Sequence, residues 1–262
     1  MTTLKKKVTA STLLADKQNG HTNVWLTAYD TTSASLAEIA GVDVILVGDS
    51  LGMVSLGFDS TIPVTLESMI HHTAAVVRGS DKVWVVCDLP FGSYQQSPEQ
   101  AFESSAKVLQ QTGCDAVKIE GGVHMAPTIK FLSERGIAVV AHIGLTPQSV
   151  KKFGGFKKQG GNLEAAQIIL DDAQAVSDAG AIAVVLECIP DDLAEKITQA
   201  IAIPTVGIGA GKACDAQVLV WHDLLGLSEK NPPFAPAYAQ LRDTITTAIG
   251  QWADDVRSGK QP

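Results

Sequence analysis

The chain has 262 residues, 45% of them apolar and 18% charged, which excludes an intrinsically disordered chain. Lys and Arg number 20 against 28 Asp and Glu, a net charge of −8 that argues against nucleic acid or an anionic membrane as the main partner. No run approaches the ~18 apolar residues of a membrane span, the basic N-terminal stretch lacks an apolar signal core, and Cys87, Cys114, Cys188 and Cys214 have neither zinc nor disulfide-framework spacing, so a cytoplasmic protein with unpaired thiols is expected.

Short, β-branched apolar runs recur along the chain, at 24–28, 42–47, 83–86, 116–119, 137–140, 181–186, 205–208 and 218–221. Such runs suit strands of a parallel sheet that is buried on both faces. Helical stretches lie between most of them, at 31–40, 66–78, 98–113, 126–134, 163–179 and 191–200. Ser97 is placed to cap the third, with Pro98 at its first position, and Gly41, Gly79, Gly113, Gly136 and Gly180 mark helix stops. Eight β/α repeats in one domain spanning 1–262 predict a (β/α)8 TIM barrel, for which about 250 residues is typical. An open doubly wound sheet is the rival. The seventh unit is thin: only about ten residues separate Ile208 from Val218, room for a one-turn helix. The first 20 residues and the tail 234–262 lie outside the repeats. Leu241, Ile245, Ile249, Trp252 and Val256, at helical spacing, predict a closing amphipathic helix.

A parallel barrel carries its chemistry at the C-terminal ends of its strands. Polar residues gather there: Tyr29 and Asp30, Asp49 and Ser50, Asp88, Lys118 and Glu120, His142, Glu187, a Gly-rich stretch at 207–211, and His222 and Asp223. In Val117-Lys118-Ile119-Glu120, strand alternation puts both charges on one face and both apolar residues on the other. The apolar face meets the helices. Lys118 and Glu120 therefore point into the barrel mouth, as a filling ion pair or as part of a site.

Asp49, Asp88 and Glu120 end neighbouring strands. Singly, Asp49 and Asp88 read equally as turn or loop-capping residues. Together, three carboxylates in one mouth repel, and Mg2+ or Mn2+ is the simple remedy for an all-oxygen set. Such a cation, with Lys118 beside it, suits a 2-oxoacid, whose C–H next to the ketone it acidifies and whose enolate it stabilises. Glu187, across the barrel, is the candidate base, because burial raises a carboxylate toward neutrality; a hydrogen bond to loop backbone is the alternative. His142 either orients substrate or a carboxylate, or is a satisfied core histidine. The 207–211 loop is a weak phosphate signal. Lys151, Lys152, Lys157 and Lys158 mark a basic loop, read as solvated surface, as a lid, or as a dock for an acidic cofactor tail. Adjacent on a helix, His71 and His72 cannot face one ligand together.

Seven stretches carry a resemblance that spans nearly the whole chain: Leu26-Thr27-Ala28-Tyr29-Asp30, Val47-Gly48-Asp49-Ser50-Leu51-Gly52-Met53, Asp88-Leu89-Pro90-Phe91-Gly92-Ser93-Tyr94, Val117-Lys118-Ile119-Glu120-Gly121-Gly122, His142-Ile143-Gly144-Leu145-Thr146-Pro147-Gln148-Ser149, Leu186-Glu187-Cys188-Ile189-Pro190 and Gly207-Ile208-Gly209-Ala210-Gly211. In this order they resemble the 3-methyl-2-oxobutanoate hydroxymethyltransferase (ketopantoate hydroxymethyltransferase) family. The resemblance implies a barrel of the phosphoenolpyruvate/pyruvate-enolate type and a homodecamer. It implies Mg2+-dependent transfer of a hydroxymethyl group from 5,10-methylenetetrahydrofolate to 3-methyl-2-oxobutanoate through a Mg-bound enolate, giving 2-dehydropantoate for pantothenate biosynthesis. By motif, it assigns Mg2+ to Asp49 and Asp88, with Glu120 completing the sphere directly or through water. It gives the oxoacid to Asp49, Ser50, Asp88 and Lys118, and the proton to Glu187. Two rivals remain: a related Mg2+-dependent lyase or mutase on the same barrel, and an idle barrel that binds a metabolite.

Overall fold

The structure, a computed structural model, describes residues 6–260. Two compact units divide the chain, residues 1–218 and residues 219–262.

Eight strands pair in chain order and close into a barrel. They are β1 (Asn23–Thr27), β2 (Val44–Val47), β3 (Trp84–Asp88), β4 (Ala116–Glu120), β5 (Val139–Gly144), β6 (Ala183–Glu187), β7 (Thr205–Ile208) and β8 (Ala216–Leu219), so the closed barrel holds and the open sheet is excluded. The helices are α1 (Ala10–Asn19), α2 (Thr31–Ile39), α3 (Leu51–Val54), α4 (Leu66–Arg78), α5 (Pro98–Thr112), α6 (Ala126–Ser133), α7 (Val150–Phe153), α8 (Leu163–Asp178), α9 (Asp191–Ala200), α10 (Trp221–Leu224) and α11 (Leu241–Arg257). Local chemistry sets their ends. Ser97 Oγ accepts the Gln100 N–H, Pro98 opens α5, and Gly113 closes it at φ 74°. Asp30 and Ser33 form a reciprocal capping box at the start of α2. A side-chain cap of this kind contributes about 1 kcal/mol.

Alternation along the strands sorts the barrel interior into layers. Trp25, Val44, Leu46, Trp84, Val86, Ala116, Val140, Ala183, Val185, Val206, Ala216 and Val218 form one buried cluster, which Val8 and Leu13 of the N-terminal segment join. Two residues further along the same faces come Asp88, Lys118, His142 and Glu187, and Glu120 follows Lys118. Apolar side chains thus fill the bottom of the barrel, and ionisable ones crowd its C-terminal end. α1, which lies outside the sequence repeats, is tied to the barrel by Lys17, whose Nζ sits 2.8 Å from both Asp215 Oδ2 and the Thr198 carbonyl.

Two sequence expectations need correction. No helix links β7 to β8; residues 209–215 form a turn. β8 also begins two residues before the expected 218–221, because Asp215 Oδ2 accepts the Thr205 N–H and sets the register Val206↔Ala216 and Gly207↔Gln217. In the second unit, Asp223 of α10 accepts from Ser228 Oγ at 2.6 Å, and Asn231 Nδ2 bridges the Asp223 and Ala235 carbonyls. The expected apolar stripe does form a helix, α11, but none of its residues is buried in the single chain. Among the described residues, no helix is long and apolar enough to cross a membrane.

Candidate active site

Asp88 is the last residue of β3, and its Oδ2 accepts the Asp49 N–H at 3.0 Å across the strand ends. This bond places the two aspartates side by side. A Cβ at Gly48 would lie 2.7 Å from Ser50 Oγ, so a larger residue there would have to push the Ser50 hydroxyl aside. Ser50 begins the turn into α3. Its Oγ lies 2.9 Å from Tyr29 Oη, which in turn accepts from Thr27 Oγ1. In β4, Lys118 and Glu120 both turn inward, as their alternation requires, and both are buried.

Lys118 Nζ stands 3.2 Å from Asp88 Oδ1 and 3.1 Å from His142 Nδ1. On the other side of the imidazole, Nε2 lies 3.1 Å from Glu187 Oε2. Glu120 Oε1 lies 3.5 Å from Nδ1. A continuous line of polar side chains therefore crosses the barrel from Asp88 through Lys118 and His142 to Glu187. With Nδ1 accepting from Lys118, the proton of the neutral ring sits on Nε2 and faces Glu187.

Two side chains missed as site residues complete the arrangement. Gln148, on the turn after β5, donates from Nε2 to Asp49 Oδ2 and to the Leu89 carbonyl, and its backbone N–H donates to Glu120 Oε2. Tyr94 Oη donates to Gln148 Oε1 and accepts the Glu120 N–H. Both belong to the quoted motifs, but an uncharged side chain inside a motif carries no spacing signal of its own.

The electrostatics follow from burial. Asp49 is pushed up to about 7 by loss of water and by the negative charges of Asp88 and Glu120. Asp88 is also raised by burial, against the pull of Lys118 and the Asp49 N–H. Burial works against the Lys118 ammonium, but Asp88, Glu120 and Asp49 outweigh it and raise its pKa. For His142, burial and Lys118 favour the neutral ring; Glu120 and Glu187 outweigh them and raise it.

Each of the three carboxylates has one oxygen held by an N–H donor. Of the others, Asp88 Oδ1 and Glu120 Oε1 are fully buried and make no hydrogen bond. Each has a nitrogen neighbour outside hydrogen-bond geometry, Lys118 Nζ at 3.2 Å from Asp88 Oδ1 and His142 Nδ1 at 3.5 Å from Glu120 Oε1, and buried anionic oxygens short of hydrogen bonds fit a hard cation as well. Among the described residues, no three His, Cys, Asp or Glu side chains form a ready-made ligand cage. The set is instead a partial one, Asp49 and Asp88 together with Glu120 reached through Gln148. It suits Mg2+, which takes one or two carboxylates and fills its sphere with water and substrate oxygens.

Other candidates fall elsewhere. His72 Nδ1 lies 2.7 Å from the Tyr29 carbonyl. A Cβ at Gly211 would meet the Asp191 carboxyl, so an acid lies against the loop considered for phosphate. Lys151, Lys152, Lys157 and Lys158 are exposed, and their loop is anchored by the Gln159 N–H on the Cys188 carbonyl at 2.9 Å. All four cysteines are free thiols.

Comparison with known proteins gives the fold and the family. Solved structures with the same fold include a phosphonopyruvate hydrolase (TM-score 0.62, 15% identity, covering 96% of this chain and 88% of that one). Another is 2,3-dimethylmalate lyase, a PEP mutase/isocitrate lyase superfamily member (TM-score 0.60, 17% identity, 96% and 89%). Much greater similarity is found to the 3-methyl-2-oxobutanoate hydroxymethyltransferase of Cyanothece sp., 53% identical over 97% of this chain and 98% of that protein. The enzyme of that name from Syntrophus aciditrophicus is 51% identical over 98% and 95%. Residues 7–262 match the family described as ketopantoate hydroxymethyltransferase, and the chain belongs to that family.

Proposed function

We propose that this enzyme transfers a hydroxymethyl group from 5,10-methylenetetrahydrofolate to C3 of 3-methyl-2-oxobutanoate, giving 2-dehydropantoate for pantothenate biosynthesis. The single observation that carries the reading is the line Asp88–Lys118–His142–Glu187 across the barrel mouth. It holds a cationic and acidic side for an oxoacid opposite a carboxylate for its proton. Asp49 and Asp88, with Glu120 directly or through water, would hold Mg2+; when bound there it withdraws electrons from the 2-oxo group and acidifies C3.

The chain's own groups do the rest. Lys118 and Ser50 donate to the oxoacid oxygens, and Asp88 holds Lys118 in place. Glu187 takes the C3 proton, while His142 keeps that carboxylate oriented from its Nε2 side. One of the two carbon–nitrogen bonds that hold the methylene to the folate opens as C3 bonds to that carbon, the second breaks as water adds its hydroxyl there, and the two folate nitrogens take up the proton removed from C3 and the one released by water. The same reading, resting on the family resemblance, places the enzyme in the cytoplasm as a homodecamer.

The test is a coupled assay with both substrates, with and without EDTA, beside NMR of 3-methyl-2-oxobutanoate in D2O with Mg2+ and no folate. Folate-dependent product, abolished by EDTA, together with folate-independent deuterium exchange at C3, supports the reading. Exchange of oxaloacetate but not of this acid would favour a lyase instead.

A further inference from the structure

Gln148 is 5% exposed and carries no charge, yet it bonds to two acids of the cluster. Its Nε2 donates to Asp49 Oδ2 and to the Leu89 carbonyl, each at 2.9 Å. Its Oε1 accepts from Tyr94 Oη at 2.7 Å and from Gln95 Nε2 at 2.9 Å. Its backbone N–H donates to Glu120 Oε2 at 3.0 Å. Both amide hydrogens and both lone pairs of the side chain are used.

This pattern permits one orientation of the amide. Reversal would set Oε1 against the Asp49 carboxylate and the Leu89 carbonyl, and would turn Nε2 toward two donors. The residue therefore occupies one chosen oxygen on each of two acids, Oδ2 of Asp49 just beyond β2 and Oε2 of Glu120 at the end of β4. Glu120 Oε1 is the oxygen that remains buried without a hydrogen bond. Side-chain and backbone N–H groups of one residue thus decide which carboxylate oxygens stay available.

We infer that Gln148 is the positioning residue of the cation site: it fixes the separation and the presented oxygens of Asp49 and Glu120, and Tyr94 locks its amide. This rests on the cation reading given above. Partners that orient a metal's ligands are typically worth 10–100-fold in metal affinity.

The experiment titrates the metal-free enzyme with Mn2+, followed by EPR and calorimetry, with no substrate present. Wild type is compared with Gln148→Met, which keeps the volume and loses the amide. Expected is saturable binding to wild type, weakened about 10-fold or more in Gln148→Met, with a changed EPR line shape for the residual bound ion. A folded Gln148→Met that binds Mn2+ as wild type does overturns the inference, even if its melting temperature falls, since that is a packing role only. Should Gln148→Met not fold, Tyr94→Phe is the deciding variant: a smaller loss in the same direction supports the inference and unchanged affinity overturns it. Absence of saturable Mn2+ binding to wild type removes the cation reading itself and this inference with it.

Discussion

His142 Nε2 stands 3.1 Å from Glu187 Oε2, on the side of the ring opposite Lys118. The imidazole faces one oxygen of the carboxylate. Glu187→Gln keeps the size and the hydrogen-bonding capacity of that side chain but cannot take a proton. It should retain oxoacid affinity and lose about 10²–10⁴-fold in turnover, the usual contribution of a general base. Calorimetric binding of the oxoacid, beside the rate of C3 deuterium exchange, checks both halves. Wild-type exchange would remove Glu187 from the role.

Lys118 is the one ammonium among Asp49, Asp88 and Glu120. Lys118→Met leaves those carboxylates without their cation in a buried site. Removing one partner of a buried pair typically costs about 3–5 kcal/mol, and urea unfolding of the metal-free variant should show a loss of that order. Adding Asp88→Asn to Lys118→Met should recover part of the loss, because the uncompensated charge is then reduced.

The raised pKa of Asp49 makes a prediction for pH. Its carboxyl titrates near 3.8 when exposed and at about 7 in the fold. Between those values the folded state keeps a proton that the unfolded chain has released, so the stability of the metal-free enzyme falls as pH rises through this window. Asp49→Asn should flatten that fall. Thermal melts in EDTA from pH 4.5 to 8, on wild type and variant, measure it; equal slopes would contradict the assignment.

Added divalent cation should act in the opposite sense. A ligand bound only by the native state raises the melting temperature, and a cation needs the carboxylates ionised. Mg2+ should therefore stabilise the wild type more at pH 8 than at pH 6. Asp88→Asn should lose both this stabilisation and oxoacid binding, as parallel melts and calorimetry would show.

Much of this site could be read in the sequence because it depends on alternation. Lys118 and Glu120 face inward for the same reason that Val117 and Ile119 face the helices, and strand ends put Asp88 and Glu187 at the mouth. Gln148 and Tyr94 could not be found in this way. Their importance lies in hydrogen bonds between segments distant in sequence, Gln148 to Asp49 and Tyr94 to Glu120, and no period predicts those. The start of β8 is hidden for a related reason: its register comes from Asp215 bonding to Thr205, while the apolar signal lies just beyond, at 218–221.

Cys188, directly after Glu187, adopts φ 49°, and Gly144, paired with Glu187 across the sheet, adopts φ 89°. A methyl group on Gly144 would run into the Glu187 carbonyl. Two neighbouring strands therefore both leave the barrel by left-handed corners at the point where Glu187 is mounted, and a side chain tolerates such a corner at a cost of roughly 1–3 kcal/mol. It follows that Cys188→Gly should be accommodated without damage, while Gly144→Ala should tilt the whole mount of Glu187. The aim of the Glu187 carboxylate is thus written into main-chain torsions, and evolution of a new specificity on this scaffold would have to work around those two hinges rather than through them.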